Sequence, residues 1–219
     1  MMRFYEISHN TAYNDGMPEI REIVEGVEEH GICPQCGVTR RNPSGDLRVR
    51  LGRTPATQWP DAIACGDYPC FVVSERFVFA LADRGIRLEL GGKVTLLNPA
   101  AAGLSPADAP SYFWIDGERH LAGRMDFEAS GYVDVRFCPE CGTRSDDIER
   151  TYDRQHAEPP APTVFHYDVG LGLELFTTDL APTAFFCTDR VLACAREHRL
   201  TNLAFCPVEE GILAEPVKY

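Results

Sequence analysis

The chain contains two copies of one short motif, Cys33-Pro-Gln-Cys-Gly37 and Cys138-Pro-Glu-Cys-Gly142, about a hundred residues apart. In each copy the proline stiffens a tight turn, and the glycine permits the left-handed backbone that follows the second cysteine. Each turn presents two sulfurs, and zinc in structural sites prefers four thiolates in a tetrahedron. The motif therefore predicts one Zn(Cys)4 site whose ligands are Cys33, Cys36, Cys138 and Cys141.

The predicted zinc site is closed, because all four ligands are cysteines and no position is left for water. Closed zinc sites are structural, whereas catalytic zinc keeps an open position. Since the two turns are far apart in the chain, the metal would join distant segments. Thioredoxin-type redox chemistry is the alternative for a Cys-x-x-Cys motif, but it needs one copy at the start of a helix. Two copies, each followed by glycine, fit zinc better.

The composition is that of an acidic globular protein. The 219 residues are 44% hydrophobic and 25% charged, which is enough apolar material for a core. The net charge of −12 repels phosphate backbones and would attract a basic protein, although solubility alone is the simpler explanation. No apolar run approaches the ~18 residues that span a bilayer, and the first ten residues lack the pattern of a secretory signal. We therefore expect a soluble cytoplasmic protein that binds neither nucleic acid nor membrane.

A longer internal repeat follows the two cysteine motifs. Residues 71–81 resemble residues 185–195: in each, an apolar strand runs into a helix-capping residue, Ser74 or Thr188, with an acid next to it. A further strand is expected after each helix, over residues 86–90 and 203–208. The repeat predicts an α+β fold of two pseudo-repeat halves, 1–110 and 111–219. These halves consist of mostly antiparallel strands with short helices, and the pair of zinc knuckles bridges them into a single domain over 1–219.

Local patterns predict the remaining elements. Alternation of apolar and charged residues predicts strands over 3–8 and 47–51. Apolar residues at helical spacing predict an amphipathic helix over 19–29. Its acidic strip (Glu19, Glu22, Glu25, Glu28 and Glu29) is either a solvated face or a surface for a basic partner. We also expect a surface loop over 99–110, two or three antiparallel strands over 119–138 and a linker over 156–163.

The other candidate residues form no recognisable site. Five further cysteines are Cys65, Cys70, Cys187, Cys194 and Cys206. The last three are expected in the core, and no ligand spacing supports a second metal site at Cys65 and Cys70. His30, three residues before Cys33, is expected on the surface rather than at the metal. Because no phosphate loop and no catalytic motif is present, we expect the protein not to be an enzyme. Five aromatic residues are expected in the core, with a binding patch as the alternative: Trp59, Tyr68, Tyr112, Phe113 and Trp114.

The two knuckles and the repeated unit resemble the double-CXXCG-motif immunity family of myxobacteria, whose paralogous members are linked to swarm-inhibition toxins. Further resemblance lies in Ser74-Glu-Arg76 and Thr188-Asp-Arg190, in the opening Met2-Arg-Phe-Tyr5 and in the closing 203–208 segment. The resemblance implies an antitoxin in the cytoplasm of a producing cell, which binds and blocks a toxin delivered by a sibling cell. The toxin surface would be basic, and the resemblance identifies no interface residues. The alternative function is a zinc-ribbon adaptor in a nucleic-acid-linked complex, and the oligomeric state stays open.

Overall fold

The structure is a computed structural model that describes residues 3–9, 17–53, 56, 58–63, 65, 68, 70–117, 125–145, 164–165, 174–178 and 184–208. These residues are mostly strand, with two α-helices. The strands are β1 (Phe4–His9), β2 (Ile20–Ile32), β3 (Thr39–Leu51), β4 (Ala62–Ile63), β5 (Cys70–Ser74), β6 (Leu90–Leu96), β7 (Tyr112–Asp116), β8 (Arg136–Phe137), β9 (Arg144–Ser145), β10 (Leu175–Phe176), β11 (Phe185–Thr188) and β12 (Leu203–Pro207). The helices are α1 (Glu75–Asp83) and α2 (Asp189–Glu197). Neither helix has the length and hydrophobicity needed to cross a bilayer.

The strands form three sheets. A six-stranded sheet has the order β2-β3-β6-β7-β5-β4 and is mixed, because β3 and β6 run parallel. A four-stranded sheet has the order β10-β11-β1-β12, with every pairing antiparallel. The third is the short β8-β9 hairpin. The predicted predominance of antiparallel pairing with short helices is confirmed.

The two larger sheets do not divide the chain at residue 110. Strand β1 lies between β11 and β12, so the start of the chain completes a sheet made by its last part. Strand β7 lies between β5 and β6, so a strand from the second half completes a sheet made by the first. Because each half supplies a central strand to the other's sheet, the halves cannot separate without breaking both sheets.

Both larger sheets and both helices contribute to one apolar core. It contains Ile7 and Phe185 from the four-stranded sheet, Phe71 and Ile115 from the six-stranded sheet, and Leu81 from α1. Where the helices meet, the Cys194 thiol of α2 donates to the Ala80 carbonyl of α1 at 3.1 Å. The helix pair is therefore part of the core that joins the sheets.

The helices begin as predicted, but only one is capped as predicted. The Ser74 hydroxyl accepts from the Phe77 backbone N–H at 3.2 Å, which confirms it as a capping residue. The Thr188 side chain makes no such bond; its hydroxyl donates to the carboxylate of Glu174.

Two arginines make reciprocal contacts across the helix pair. Arg76 of α1 pairs with Asp61 and donates to the Arg199 carbonyl, just after α2, at 2.8 Å. Arg190 of α2 pairs with Glu174 and donates to the Arg84 carbonyl, just after α1, at 2.9 Å. Each helix is thus fastened by its own first turn to the C-terminal end of the other.

Asp61 is the buried acid of this network. Its carboxylate accepts from the Ser74 hydroxyl at 2.6 Å, from Arg76 at 2.5 Å and from the Thr201 backbone N–H at 2.7 Å. The side chain is 5% exposed, whereas that of Arg76 is 53% exposed. A buried carboxylate is tolerable because these donors replace the water that it loses.

The helix prediction over residues 19–29 is wrong, since these residues lie mainly in strand β2. The register against β3 shifts repeatedly, so that Glu22 faces Arg50 while Glu25 faces Arg48. Between these two pairs, β2 moves on by three residues while β3 moves by two, so β2 carries an extra residue, as in a β-bulge. One irregularity lies beside Gly26, whose φ of +91° is left-handed and where a Cβ would approach the Asp46 carbonyl to 2.5 Å. Because of the bulges, side chains on one face of β2 recur about every three residues instead of every two. This spacing resembles that of one face of a helix.

Other local predictions fared unevenly. The strand over 47–51 is confirmed, with Leu47, Val49 and Leu51 buried. The strand predicted over residues 86–90 lies later in the chain, as β6 (Leu90–Leu96). The loop over 99–110 contains two 3-10 turns, Pro99–Ala102 and Pro106–Asp108.

For the described residues from 125 onward, the strands predicted over 119–138 are confirmed only in part. Only β8 is a strand there, and residues 126–131 form a turn in which the Asp126 carboxylate accepts from the Ala129 N–H at 2.9 Å. This turn ends at Gly131, whose φ is +89°. Residues 118–124 and the predicted linker over 156–163 lie outside the described residues.

Replacing Asp61 with Ala should lower the free energy of unfolding by about 2–4 kcal/mol, because the Ser74 hydroxyl and the Thr201 N–H lose their acceptor. Urea denaturation measures this change. Glu25→Ala is the matched control: its carboxylate also meets an arginine at 2.5 Å, but the pair is about half exposed. That substitution should cost less than about 1 kcal/mol. Equal costs for the two variants would contradict the structural role of Asp61.

Candidate metal centre

Two hairpin tips carry the four predicted ligands. Cys33 and Cys36 lie in the turn between β2 and β3, and Cys138 and Cys141 lie in the turn between β8 and β9. In the first turn the Gly37 N–H donates to the Cys33 carbonyl, and the Cys33 N–H donates to the Val38 carbonyl, both at 2.9 Å.

The second turn repeats this pattern. The Gly142 N–H donates to the Cys138 carbonyl at 2.8 Å, and the Cys138 N–H donates to the Thr143 carbonyl at 2.9 Å. Gly37 and Gly142 have φ values of +73° and +72°, so the left-handed backbone predicted after each motif is present. Each turn is therefore shaped by its own backbone hydrogen bonds.

The four sulfurs converge on one point. They all lie within 4.8 Å of one another, with 3.8 Å between Cys33 and Cys138 and 3.4 Å between Cys36 and Cys141. Tetrahedral thiolate coordination with bonds of about 2.3 Å places sulfurs about 3.8 Å apart. The sulfur spacing thus fits a single tetrahedral metal ion. The structure confirms that the four predicted ligands come together from segments 105 residues apart.

Thr143 supports negative charge at Cys141, and Arg40 ties the two turns together. The Thr143 side chain and then its backbone N–H lower the pKa of Cys141 to about 6. The Thr143 hydroxyl lies 3.2 Å from this sulfur. Arg40 on β3 donates to the Cys141 carbonyl at 2.9 Å, so one side chain joins the two turns directly. Neither Arg40 nor Thr143 was predicted, because neither belongs to the cysteine motif.

The other predicted candidates do not join this centre. His30 is exposed, and the metal-ligating cluster found among the described residues consists of the four cysteines. Cys187 and Cys194 are buried as predicted, while Cys206 is only half-buried. Tyr112 and Trp114 are core residues: the Tyr112 hydroxyl donates to the Pro60 carbonyl and the Trp114 ring N–H to the Gly45 carbonyl, both at 2.8 Å.

The acidic strip of β2 is largely neutralised by β3. Glu22 pairs with Arg50 at 2.9 Å, Glu25 with Arg48 at 2.5 Å and Glu29 with Arg41 at 3.0 Å. Glu28 accepts from the Ser44 hydroxyl at 2.8 Å. Cross-strand pairs of opposite charge stabilise a hairpin modestly. These ion pairs and the Ser44 hydrogen bond therefore account for the acidic residues of β2 without a partner protein.

A scan of the chain against protein-family models found no match, and a search of curated proteins found none either.

Cys138→Ser should abolish the binding of one metal ion per chain, because a tetrahedral thiolate site loses a quarter of its ligands. Removing a native disulfide, which likewise joins distant segments, costs about 2–5 kcal/mol, and we expect a similar cost here. At about 2–4 °C per kcal/mol, the melting temperature should fall by roughly 5–20 °C. Elemental analysis and thermal denaturation measure the two effects. Cys206→Ser, which removes a half-buried cysteine outside the cluster, should leave the metal content unchanged. A Cys138→Ser variant with a full complement of metal would overturn the site.

Proposed function

We propose that the chain is an immunity protein that binds and neutralises a cognate protein toxin in the cytoplasm of the producing cell. The observation that carries the proposal is an exposed aromatic side chain on α1, between two carboxylates that have no partner among the described residues, set in a scaffold with four clustered cysteines. The resemblance to the double-CXXCG-motif immunity family supports the same function. The proposal assigns no catalytic step to the chain.

The metal of this proposal is zinc in a structural role. Four thiolates at tetrahedral spacing are the donor set that zinc prefers, and the ligand shell is complete without water. Zinc bound here would join the two hairpin tips and activate no substrate. A reducing cytoplasm would keep all four cysteines available as ligands.

The two halves are further proposed to be copies of one ancestral unit. In each half, an acidic residue just before a short strand accepts from a hydroxyl at the start of a helix. The same acid pairs with the arginine two residues after that hydroxyl. The residues are Asp61, Ser74 and Arg76 in the first half and Glu174, Thr188 and Arg190 in the second. The sheet orders β4-β5-β7-β6 and β10-β11-β1-β12 also correspond. This correspondence requires that the first strand of each copy, β1 or β7, was exchanged between the copies.

The candidate interface is the outer face of α1. Phe79 is 69% exposed, and Glu75 and Asp83 lie one helical turn before and after it. Among the described residues, neither carboxylate has a hydrogen-bond or ion-pair partner. An open groove of about 640 Å³ beside them includes Ala82 and His198. Exposed aromatics in such positions are typical anchors of protein interfaces.

The charge of this face indicates a basic partner. The glutamates of β2 already meet arginines, whereas Glu75 and Asp83 remain available to cations of another protein. The net charge of −12 would also steer a basic toxin toward the chain and accelerate their association. The zinc-ribbon adaptor alternative lacks such support, because this acidic surface repels nucleic acid.

Phe79→Ala should weaken binding of the cognate toxin by at least about thirtyfold, because interface anchors contribute about 2 kcal/mol or more. The toxin to be used is the product of the neighbouring gene. Co-expression with the wild-type chain should restore the growth that the toxin arrests, and calorimetry on the purified pair measures the affinity. Phe137→Ala, at an exposed phenylalanine beside the metal centre, is the matched control and should bind as wild type does.

Two results would count against these assignments. Growth that stays arrested while both proteins are soluble would refute the immunity function. Restored growth with unchanged affinity in Phe79→Ala would keep the function but remove the α1 face as the interface.

A further inference from the structure

A second pair of cysteines lies outside the metal centre. Cys65 and Cys70 stand near the two ends of the connection between β4 and β5, and their sulfurs are 2.8 Å apart. Both are free thiols, and both are buried, with exposures of 6% and 7%. This contact places the sulfurs within reach of each other without any rearrangement of the sheets.

A metal does not explain the pair. A metal site needs at least one further ligand, yet the cluster of metal-ligating groups found among the described residues is the one formed by the other four cysteines. Both thiols pack in an apolar cluster with Ile63 and Trp114, just as Cys187 packs in another cluster. Apolar packing does not require two sulfurs to lie 2.8 Å apart in hydrogen-bond contact, and this contact distinguishes the pair from Cys187.

We propose that Cys65 and Cys70 form a reversible dithiol–disulfide pair, a redox modification site separate from the metal centre. In a reducing compartment such a pair is not a permanent cross-link but a transient or sensing one. The proposal is independent of the toxin-binding function.

The two cysteines have different roles in the reaction. Cys65 lines a cavity of about 420 Å³ together with Tyr68, and Arg21 and Arg41 lie at its walls. Arg41 pairs with Glu29, and Glu22, at the same wall, pairs with Arg50. Arg21 is therefore the side chain that suits a low-molecular-weight disulfide carrying carboxylates. Cys70 donates its S–H to the Cys65 sulfur, and this hydrogen bond, followed by burial, raises the pKa of Cys70 well above its usual value. Cys65 is therefore the attacking thiol and Cys70 the resolving one.

The reaction is a two-step exchange. The Cys65 thiolate attacks the external disulfide, a mixed disulfide forms and the first external thiolate leaves and is protonated. Cys70 then loses its proton and attacks the Cys65 sulfur, which releases the second external thiol. The two protein thiols lose two electrons and two protons, and the external disulfide gains both to become two thiols.

Oxidation would act where the sheet connects to the metal hairpin. The same cavity is lined by Ile23 of β2 and by Thr39 of β3, which lies three residues after Cys36. A disulfide would also fix the short connection that leads into β5 and so into the helix carrying Phe79. The oxidised form should therefore melt at a higher temperature, because its unfolded chain is more constrained.

The test uses the full chain with its metal, equilibrated without oxygen in mixtures of glutathione disulfide and glutathione until the products stop changing. After acid quenching and alkylation, peptide mapping should show one disulfide, between Cys65 and Cys70, while the metal content stays unchanged. Excess dithiothreitol should reverse it. Cys70→Ser should stop the reaction at the glutathione adduct of Cys65, whereas Cys206→Ser should behave as wild type.

The wild-type map alone decides the proposal, so it does not depend on the folding of a variant. Cys65 and Cys70 that remain thiols at every ratio would overturn it. A disulfide from either of them to any other cysteine would overturn it as well.

Discussion

The convergence of four cysteine sulfurs within 4.8 Å of one another is the constraint that the rest of the structure must satisfy. Four thiolates this close would repel one another, so a cation among them would stabilise the arrangement. Each turn is nevertheless set by its own backbone hydrogen bonds and by a left-handed glycine. A bound metal would therefore not have to shape its ligand turns. It would hold two preformed turns together, and the Arg40 contact to the Cys141 carbonyl would assist it.

A second set of contacts, which involves none of the four clustered cysteines, fastens the chain at the helix pair. Arg76 and Arg190 each bind the C-terminal end of the opposite helix, and the exchanged strands β1 and β7 interlock the two sheets. In addition, apolar side chains from both halves are buried together in one core. Loss of the metal should therefore loosen the hairpin tips before it unfolds the sheets. This differs from a small zinc finger, in which metal binding supplies nearly all of the folding free energy.

The sequence predicts some features well because they depend on residues close in the chain. The cysteine turns, the Leu47–Leu51 alternation and the Ser74 cap are local patterns, and each is confirmed. Strand β2 was mistaken for a helix because its bulges are defined by pairing with β3, which a single strand does not reveal. The contact of Cys65 with Cys70 and the role of Asp61 depend likewise on how β4 and β5 fold together. The repeated segments Ser74-Glu-Arg76 and Thr188-Asp-Arg190 are recognisable in the sequence, but it does not reveal that Asp61 and Glu174 are their acidic partners.

The distribution of charge bears most directly on function. An acidic protein attracts a basic partner over a distance, but the surface that finally binds must offer charges that are not already neutralised. The β2 glutamates meet arginines of β3, so binding there would first have to break those pairs. The carboxylates on either side of Phe79 carry no such cost, and an exposed aromatic between them adds apolar area that is removed from water on binding. In the proposed function the steering charge and the binding surface are therefore different parts of the molecule, and α1 is the part proposed to provide specificity.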